Sequence, residues 1–366
     1  MNIPDKPPFY ITYAFIAFSI LSTAATLYIG QQIFIPLIYA TILAILLNPI
    51  VNLLIRLRIN RTIAISFSVV VMILVTVSLL YLISRQAALF TDSYPQLKTK
   101  FTEKSGQLIR WISTYFNMKP SAIYTWINET ENDLLNNMGG AIGKTISAIN
   151  GILIGVILMP VYLFMILFYK PLLLEFIHKL SNKHNNEMVH DILINSKKII
   201  QSYLIGLIIE AVIVAILNTV GLLLLDVPYA IILGVTGALL NVIPYIGGVI
   251  ATAIPMIIAF VMNESAATPL LVLLTYLIIQ FVDNHFIIPN IVASKVKINA
   301  LVCIIVVLAG GALWGIPGMF LSIPLTAILK VIFDHIENLK PFGFVLGNIV
   351  PVKKTIINFK KITFKK

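Results

Sequence analysis

Charge is scarce in this chain. Only 11% of its 366 residues are Asp, Glu, Lys or Arg and 59% are apolar, whereas a water-soluble domain is about a quarter charged. Too few charges remain to solvate so much apolar surface, so a soluble globular fold is excluded and membrane residence follows. Cysteine is scarcer still. Cys303 stands alone within an apolar run, which rules out a disulfide inside the chain and any Cys-based zinc or redox site. Phosphate-cradling loops are missing too. In the nearest match, Gly139-Gly140-Ala141-Ile142-Gly143-Lys144-Thr145, one residue too few separates Gly139 from the Gly-Lys pair, and Met138 occupies the place of the required glycine. No HExxH pair, GxSxG elbow or Cys/His nucleophile arrangement is present. The sequence thus indicates neither an enzyme nor an ATP-driven pump, and no cofactor or metal. A potassium-type filter and an arginine-rich span are also absent.

What is present is a series of apolar runs. A helix needs roughly 20 apolar residues to cross the hydrocarbon core at about 1.5 Å per residue. The sequence predicts spans at 10–29, 32–55, 62–83, 142–169, 199–225, 228–243, 246–262 and 268–290, followed by a Gly/Pro-broken apolar region, 298–335. The arms of that region, 298–313 and 318–335, flank a Gly310 to Gly318 stretch that cannot continue as one regular helix. A re-entrant helical hairpin is the natural reading. The expected fold is therefore an all-α polytopic membrane protein of about eight transmembrane helices plus this hairpin, with a small helical extramembrane segment. Its expected organisation is transmembrane helices in 1–83, an extracytoplasmic segment in 84–141, a transport core with broken helices in 142–335, and a basic cytoplasmic tail in 336–366.

The formal charge of +11, from 26 Lys and Arg against 15 Asp and Glu, belongs with topology rather than nucleic-acid binding, because loops kept in the cytoplasm carry the basic excess. Arg56, Arg58, Arg61, Lys170, Lys179, Lys183, Lys197, Lys198, Lys295, Lys297 and the C-terminal lysines all fall on one side if both termini are cytoplasmic. Arg85, Lys98, Lys100, Lys104, Arg110, Lys119 and Lys144 lie in or beside the long outer segment, which translocates largely regardless of charge. The tail pairs Lys353-Lys354, Lys360-Lys361 and Lys365-Lys366 should be drawn to anionic lipid. In the outer segment, Leu97, Phe101, Leu108, Ile112 and Tyr115, then Ile123, Ile127, Leu134 and Met138, describe two amphipathic helices joined near Pro120. They would cover the transmembrane domain or meet a neighbouring subunit. His178, His184 and His190 read as solvated loop residues, since their spacing keeps them off one helix face.

Ionisable groups inside spans are costly and mark function by default. Glu210 sits near the middle of the 199–225 span, with Tyr203 and Gly206 on its face. The alternative for Glu210 is a carboxylic acid hydrogen-bonded to a neighbouring helix. In the eighth span Tyr276, Gln280, Asp283 and Asn284 form a polar stripe in a helix expected to end at Pro289, with Asp283 the candidate for cation or proton handling and His285 facing elsewhere. Two segments break where a helix should run: Asn241-Val242-Ile243-Pro244-Tyr245-Ile246-Gly247-Gly248, and Gly310-Gly311-Ala312-Leu313-Trp314-Gly315-Ile316-Pro317-Gly318 followed by Pro324. Such breaks expose helix ends that bind polar solutes without charged side chains and serve as gates.

These motifs, with Leu47-Asn48-Pro49-Ile50-Val51, Tyr203-Leu204-Ile205-Gly206, Val227-Pro228-Tyr229-Ala230, Asp283-Asn284-His285 and Ile323-Pro324-Leu325, give the chain a sequence that resembles the autoinducer-2 exporter family, the PerM-like permeases. The resemblance implies a bacterial inner-membrane secondary transporter exporting a small polar solute such as autoinducer-2, with coupling to protons or sodium and assembly as a homo-oligomer. The alternatives are a sodium or lithium/proton antiporter of that family, and a passive channel or membrane scaffold acting through 84–141.

Overall fold

The computed structural model describes residues 8–116, 158–181, 186–243, 247–263, 265, 267–293 and 298–348. Among them the chain is helical throughout: α1 Phe9–Ile29, α2 Gln31–Arg56, α3 Arg61–Phe116, α4 Leu158–Leu180, α5 Asn186–Leu224, α6 Ala230–Asn241, α7 Gly247–Met262, α8 Thr268–Val282, a π-helical stretch Asp283–Ala293, α9 Ala300–His335, a short 3-10 turn Glu337–Leu339 and α10 Lys340–Leu346. Seven of the described stretches are long and apolar enough to cross a bilayer: Tyr10–Ile29, Gln31–Arg56, Arg61–Leu82, Leu158–Leu180, Asn186–Leu224, Thr268–Val292 and Ala300–His335. The polytopic all-α architecture expected from the sequence is thus present. The two runs expected at 228–243 and 246–262 form the shorter helices α6 and α7, of 12 and 16 residues. At about 1.5 Å per residue neither matches a core about 30 Å thick.

Three apolar clusters hold the helices together. One joins α2, α3 and α4 through Ala44, Leu47, Ile65 and Leu163. A second joins α2, α5, the π stretch and α9 through Ile42, Ile200, Val292 and Leu321. The third packs the end of α5 against α6, α7 and α8 through Leu222, Leu233, Ile258 and Val272. Because α2 and α5 each belong to two clusters, they tie the bundle together. Helix α1 contributes little, and Tyr10, Tyr13, Phe15, Phe18 and Leu21 stay exposed along it.

Four sequence expectations are corrected here. The fourth span was expected to end at 169, before Lys170 and Pro171, yet α4 runs on to Leu180. Pro171 has no amide to offer the carbonyl of Leu167, and Arg61 supplies the missing donor: its Nη2 donates to the Leu167 and Phe168 carbonyls at 3.1 and 2.9 Å. Lys170 is accommodated because its Nζ donates to Asn48 Oδ1 at 2.7 Å. The described residues after Lys170 are consequently almost all helical, and His178 and His190 sit on α4 and α5 rather than in a loop, their ring centroids 5.9 Å apart. The eighth span does not end at Pro289 either. It passes through that residue as π-helix to Ala293, a wider turn that accommodates a residue without an amide. Residues 97–115, expected as a separate amphipathic helix, are the continuation of α3. Residues 142–157, the helix expected at 123–138, His184 and the basic tail beyond Asn348 lie outside the described residues.

Helix α9 is the hairpin expected from its glycines. Gly315 adopts φ 63°, ψ −143°, a conformation open to glycine and strained for other residues. Gly310 and Gly318 would stand about 12 Å apart on a straight helix. Instead, a Cβ on Gly318 would collide with the Gly310 carbonyl and lie 2.9 Å from Trp314 Cβ. The tip is fastened from outside: Trp314 Nε1 donates to the Leu27 carbonyl at 3.0 Å and the Tyr39 hydroxyl to that of Pro317 at 3.2 Å. At the foot, Asn299 accepts from the Val302 amide through Oδ1 at 2.9 Å. Its Nδ2 donates to the carbonyls of Val345 and Gly347 at 2.7 and 3.1 Å.

Candidate functional site

The buried face of α5 carries Tyr203, Gly206, Glu210, Val214, Asn218 and Leu222, three and four residues apart, which stacks them on one side. Gly206 lets the π stretch approach: a Cβ there would lie 2.7 Å from the Ile291 carbonyl oxygen. Tyr203 and Glu210 then face a cavity of about 840 Å³, a volume suited to a small molecule. Its other walls come from α8 and the π stretch (Leu277, Gln280, Asn284, Ile288), the α6–α7 break (Asn241, Gly248, Thr252) and both arms of the α9 hairpin (Cys303, Ile323), with Asn348 at the C-terminal side. The two Gly/Pro-broken elements that the sequence singles out therefore border one space.

The polar groups of this space are mostly uncommitted. Glu210, 5% exposed, makes no hydrogen bond among the described residues, nor do Gln280 and Asn284. Thr252 spends its hydroxyl on the Gly248 carbonyl at 2.8 Å. Gly248 marks where two side-chain oxygens converge, since a Cβ there would meet Gln280 Oε1 at 2.9 Å and Asn241 Oδ1 at 3.4 Å. A carboxyl, the side-chain amides of Asn241, Gln280, Asn284 and Asn348, and a helix break supply acceptors and donors between apolar walls. Lys and Arg are absent from the described lining. Such a space suits a neutral polar solute or a cation and penalises an anion.

Asp283 occupies a different place from the one its stripe suggests. It is 1% exposed and sits behind the wall, accepting from Asn241 Nδ2 at 2.9 Å through Oδ2. Its Oδ1 has no partner among the described residues. Asp283 thus holds Asn241 with the amide oxygen turned toward Gly248. Tyr276 also leaves the stripe: it is buried, and its hydroxyl, like Asn218 Oδ1, has no described partner, the two side chains meeting around Gly237. His285 faces away, stacked on Phe281 at 4.2 Å with Nδ1 against the Phe281 carbonyl. Pro289 is in the π stretch. Gly311 packs on Met319, Pro317 and Pro324 lie in α9, and Gly247 packs against the Leu240 carbonyl. Pro244 and Tyr245 lie outside the described residues.

Four polar residues escape the sequence reading. Thr252 and Cys303 sit about one and two helical turns from recognised breaks, and Asn348 carries no pattern at all. Asn218 was detectable, because it extends the four-residue spacing Gly206, Glu210, Val214 along α5. Among the described residues, no three His, Cys, Asp or Glu side chains gather as a metal site.

The sequence pattern of the AI-2E family transporter matches residues 16–338. The AI-2 transport protein TqsA of Escherichia coli (strain K12) is 26% identical over 323 residues, covering 87% of this chain and 91% of its own. YueF of Bacillus subtilis (strain 168) is 26% identical over 323 residues, covering 84% and 85%. YhhT of Escherichia coli (strain K12) is 24% identical over 349 residues, covering 94% and 96%. The names of these last two state transport and specify no substrate.

Proposed function

The chain belongs to the AI-2E transporter family, and on that premise we propose that it is an ion-coupled secondary transporter that exports a small, uncharged polar solute through the cavity at Glu210. The observation that carries this reading is the composition of the wall: one free carboxyl, Glu210, amide groups at Asn241, Gln280 and Asn284, and no Lys or Arg among the described lining. A neutral polyhydroxylated metabolite satisfies the amides by hydrogen bonding and leaves Glu210 to exchange a proton or bind sodium. Autoinducer-2, for which one relative is named, is a solute to try first. With both termini cytoplasmic, the Lys and Arg of the 56–61 and 170–198 segments fall on the inner side, in keeping with the basic bias of retained loops. The exposed aromatic face of α1 supports assembly with further copies.

The hairpins α6–α7 and α9 act as the moving walls, since each ends in glycines that permit close sliding and neither is a continuous crossing helix. Glu210 carries the coupling, and Asp283 sets the geometry of Asn241. Efflux from proteoliposomes under an imposed proton or sodium gradient tests the assignment. Glu210→Gln should transport without responding to the gradient. Asp283→Asn, whose amide oxygen can still accept from Asn241, should keep the response while raising KM. Gradient-dependent efflux at the wild-type rate in Glu210→Gln would overturn the coupling role.

A further inference from the structure

Apart from the cavity at Glu210, three helices bring three cations into one region, one of them bonded to a buried amide. Arg61 opens α3 and is pinned to α4 by its two bonds to the Leu167 and Phe168 carbonyls. Only Nη2 is used, so the rest of the guanidinium fork is available. Lys170 of α4 is held by Asn48 Oδ1, and Asn48 is itself 5% exposed. Lys197 of α5 completes the group: the contact of His178 with His190, ring centroids 5.9 Å apart, sets α4 beside α5, and about two helical turns back along α4 and on along α5 bring Lys170 level with Lys197. None of the three forms an ion pair among the described residues, whose salt bridges are Lys179 with Glu175, Lys330 with Asp334 and Lys340 with Glu337. Like charges fixed together repel unless an anion joins them. The surface beside them is apolar and uncovered, with Ile63, Phe67, Tyr169 and Leu172 exposed on α3 and α4.

We propose that Arg61, Lys170 and Lys197, positioned by Asn48 and the Leu167 and Phe168 carbonyls, form a binding seat for the phosphate of an anionic phospholipid whose acyl chains lie along α3 and α4. Charge complementarity selects an anion. The exposed apolar rim beside the seat selects the lipid form over free phosphate, because the apolar area becomes covered only when chains accompany the headgroup. The guanidinium fork offers the parallel donors a phosphate accepts, and the two ammonium groups add charge without fixed direction. This seat is separate from the basic tail and independent of the transport cavity.

Native mass spectrometry of the full-length protein in detergent, titrated with phosphatidylglycerol, phosphatidylcholine or inorganic phosphate, tests the proposal. Lys197 is exposed and makes no described hydrogen bond, so Lys197→Gln should fold normally, and it should weaken phosphatidylglycerol binding about fivefold. Lys197→Arg should restore it. Lys198→Gln removes the same charge one residue away and should leave binding unchanged. Equal weakening by Lys197→Gln and Lys198→Gln would reduce the effect to general surface charge and overturn the seat. Retention of inorganic phosphate as strong as that of phosphatidylglycerol, or of phosphatidylcholine as strong as either, would overturn the anionic-lipid assignment.

Discussion

Glu210 and Asp283 are both acids buried within apolar helices, yet hydrogen bonding separates them. Asp283 has spent one oxygen on Asn241, whereas Glu210 keeps both for the cavity. The same distinction makes Gly248 a sensitive position. A methyl group added there meets the far end of the Gln280 side chain at 2.9 Å, and that side chain can swing away at little cost. Gly248→Ala should therefore melt within about 0.5 kcal/mol of wild type while raising KM in the efflux assay, since Gln280 and Asn241 lose their shared orientation. Arg61 works in the opposite sense. Arg61→Ala strips the donor from the carbonyl that Pro171 leaves open, and a buried acceptor without a partner costs roughly 1–3 kcal/mol. Its thermal midpoint in detergent should fall accordingly, and a double variant that also carries Pro171→Ala should recover part of the loss. Glu210, Tyr203 and Gly206 were legible in the sequence because helical spacing alone places them together. The position of Asp283 behind the wall was not, because at 100° per residue Asp283 and Tyr276 fall on one edge of the stripe and Gln280 and Asn284 on the other, and only the packing of Asp283 against Asn241 decides which edge faces the cavity.

The elements proposed to move during transport are those in which glycine and proline interrupt apolar helix. Their breaks can be seen in the sequence, but the partners of each break lie far along the chain. Gly310 and Gly318 foretell a hairpin; that its tip is tied to Leu27 and Tyr39 does not follow from any local pattern. For α4 the local signal misleads outright, since Lys170-Pro171 reads as a helix end and is rescued by Asn48 and Arg61 more than a hundred positions upstream. The α9 hairpin allows an ordered comparison. Gly315 has open space around it, so Gly315→Ala pays only for its left-handed backbone, about 1–3 kcal/mol. Gly318→Ala forces a side chain into the backbone of the opposite arm, where nothing flexible can yield. Thermal unfolding in detergent should therefore rank Gly318→Ala as the more destabilising, and the reverse order would show that the arms are not closely apposed.

For the molecule as a whole, the composition that excludes a soluble fold also limits how the bundle is held. Apolar contact gives little preference for helix over lipid, so α2 and α5 rely on small residues and a few polar ties to join the three clusters. A multi-pass membrane protein of this family must nevertheless leave a wet space inside, and here the two broken hairpins frame it. The orientation proposed from the basic residues makes a separate prediction. Cysteines introduced at Arg58 and at Ser113, in a background where Cys303 is replaced by serine, should be modified by an impermeant maleimide from opposite faces of intact spheroplasts. Modification of both from the same face would invert or break the proposed topology.

The near absence of cysteine has a practical sequel. The chain's one thiol, Cys303, lies on the wall of the cavity with partial exposure, so the unaltered protein already contains a single-site reporter of what occupies that space. A solute that fills the cavity should slow alkylation of Cys303, and a panel of metabolites can then be ranked by protection on purified protein, before any transport assay or imposed gradient is available.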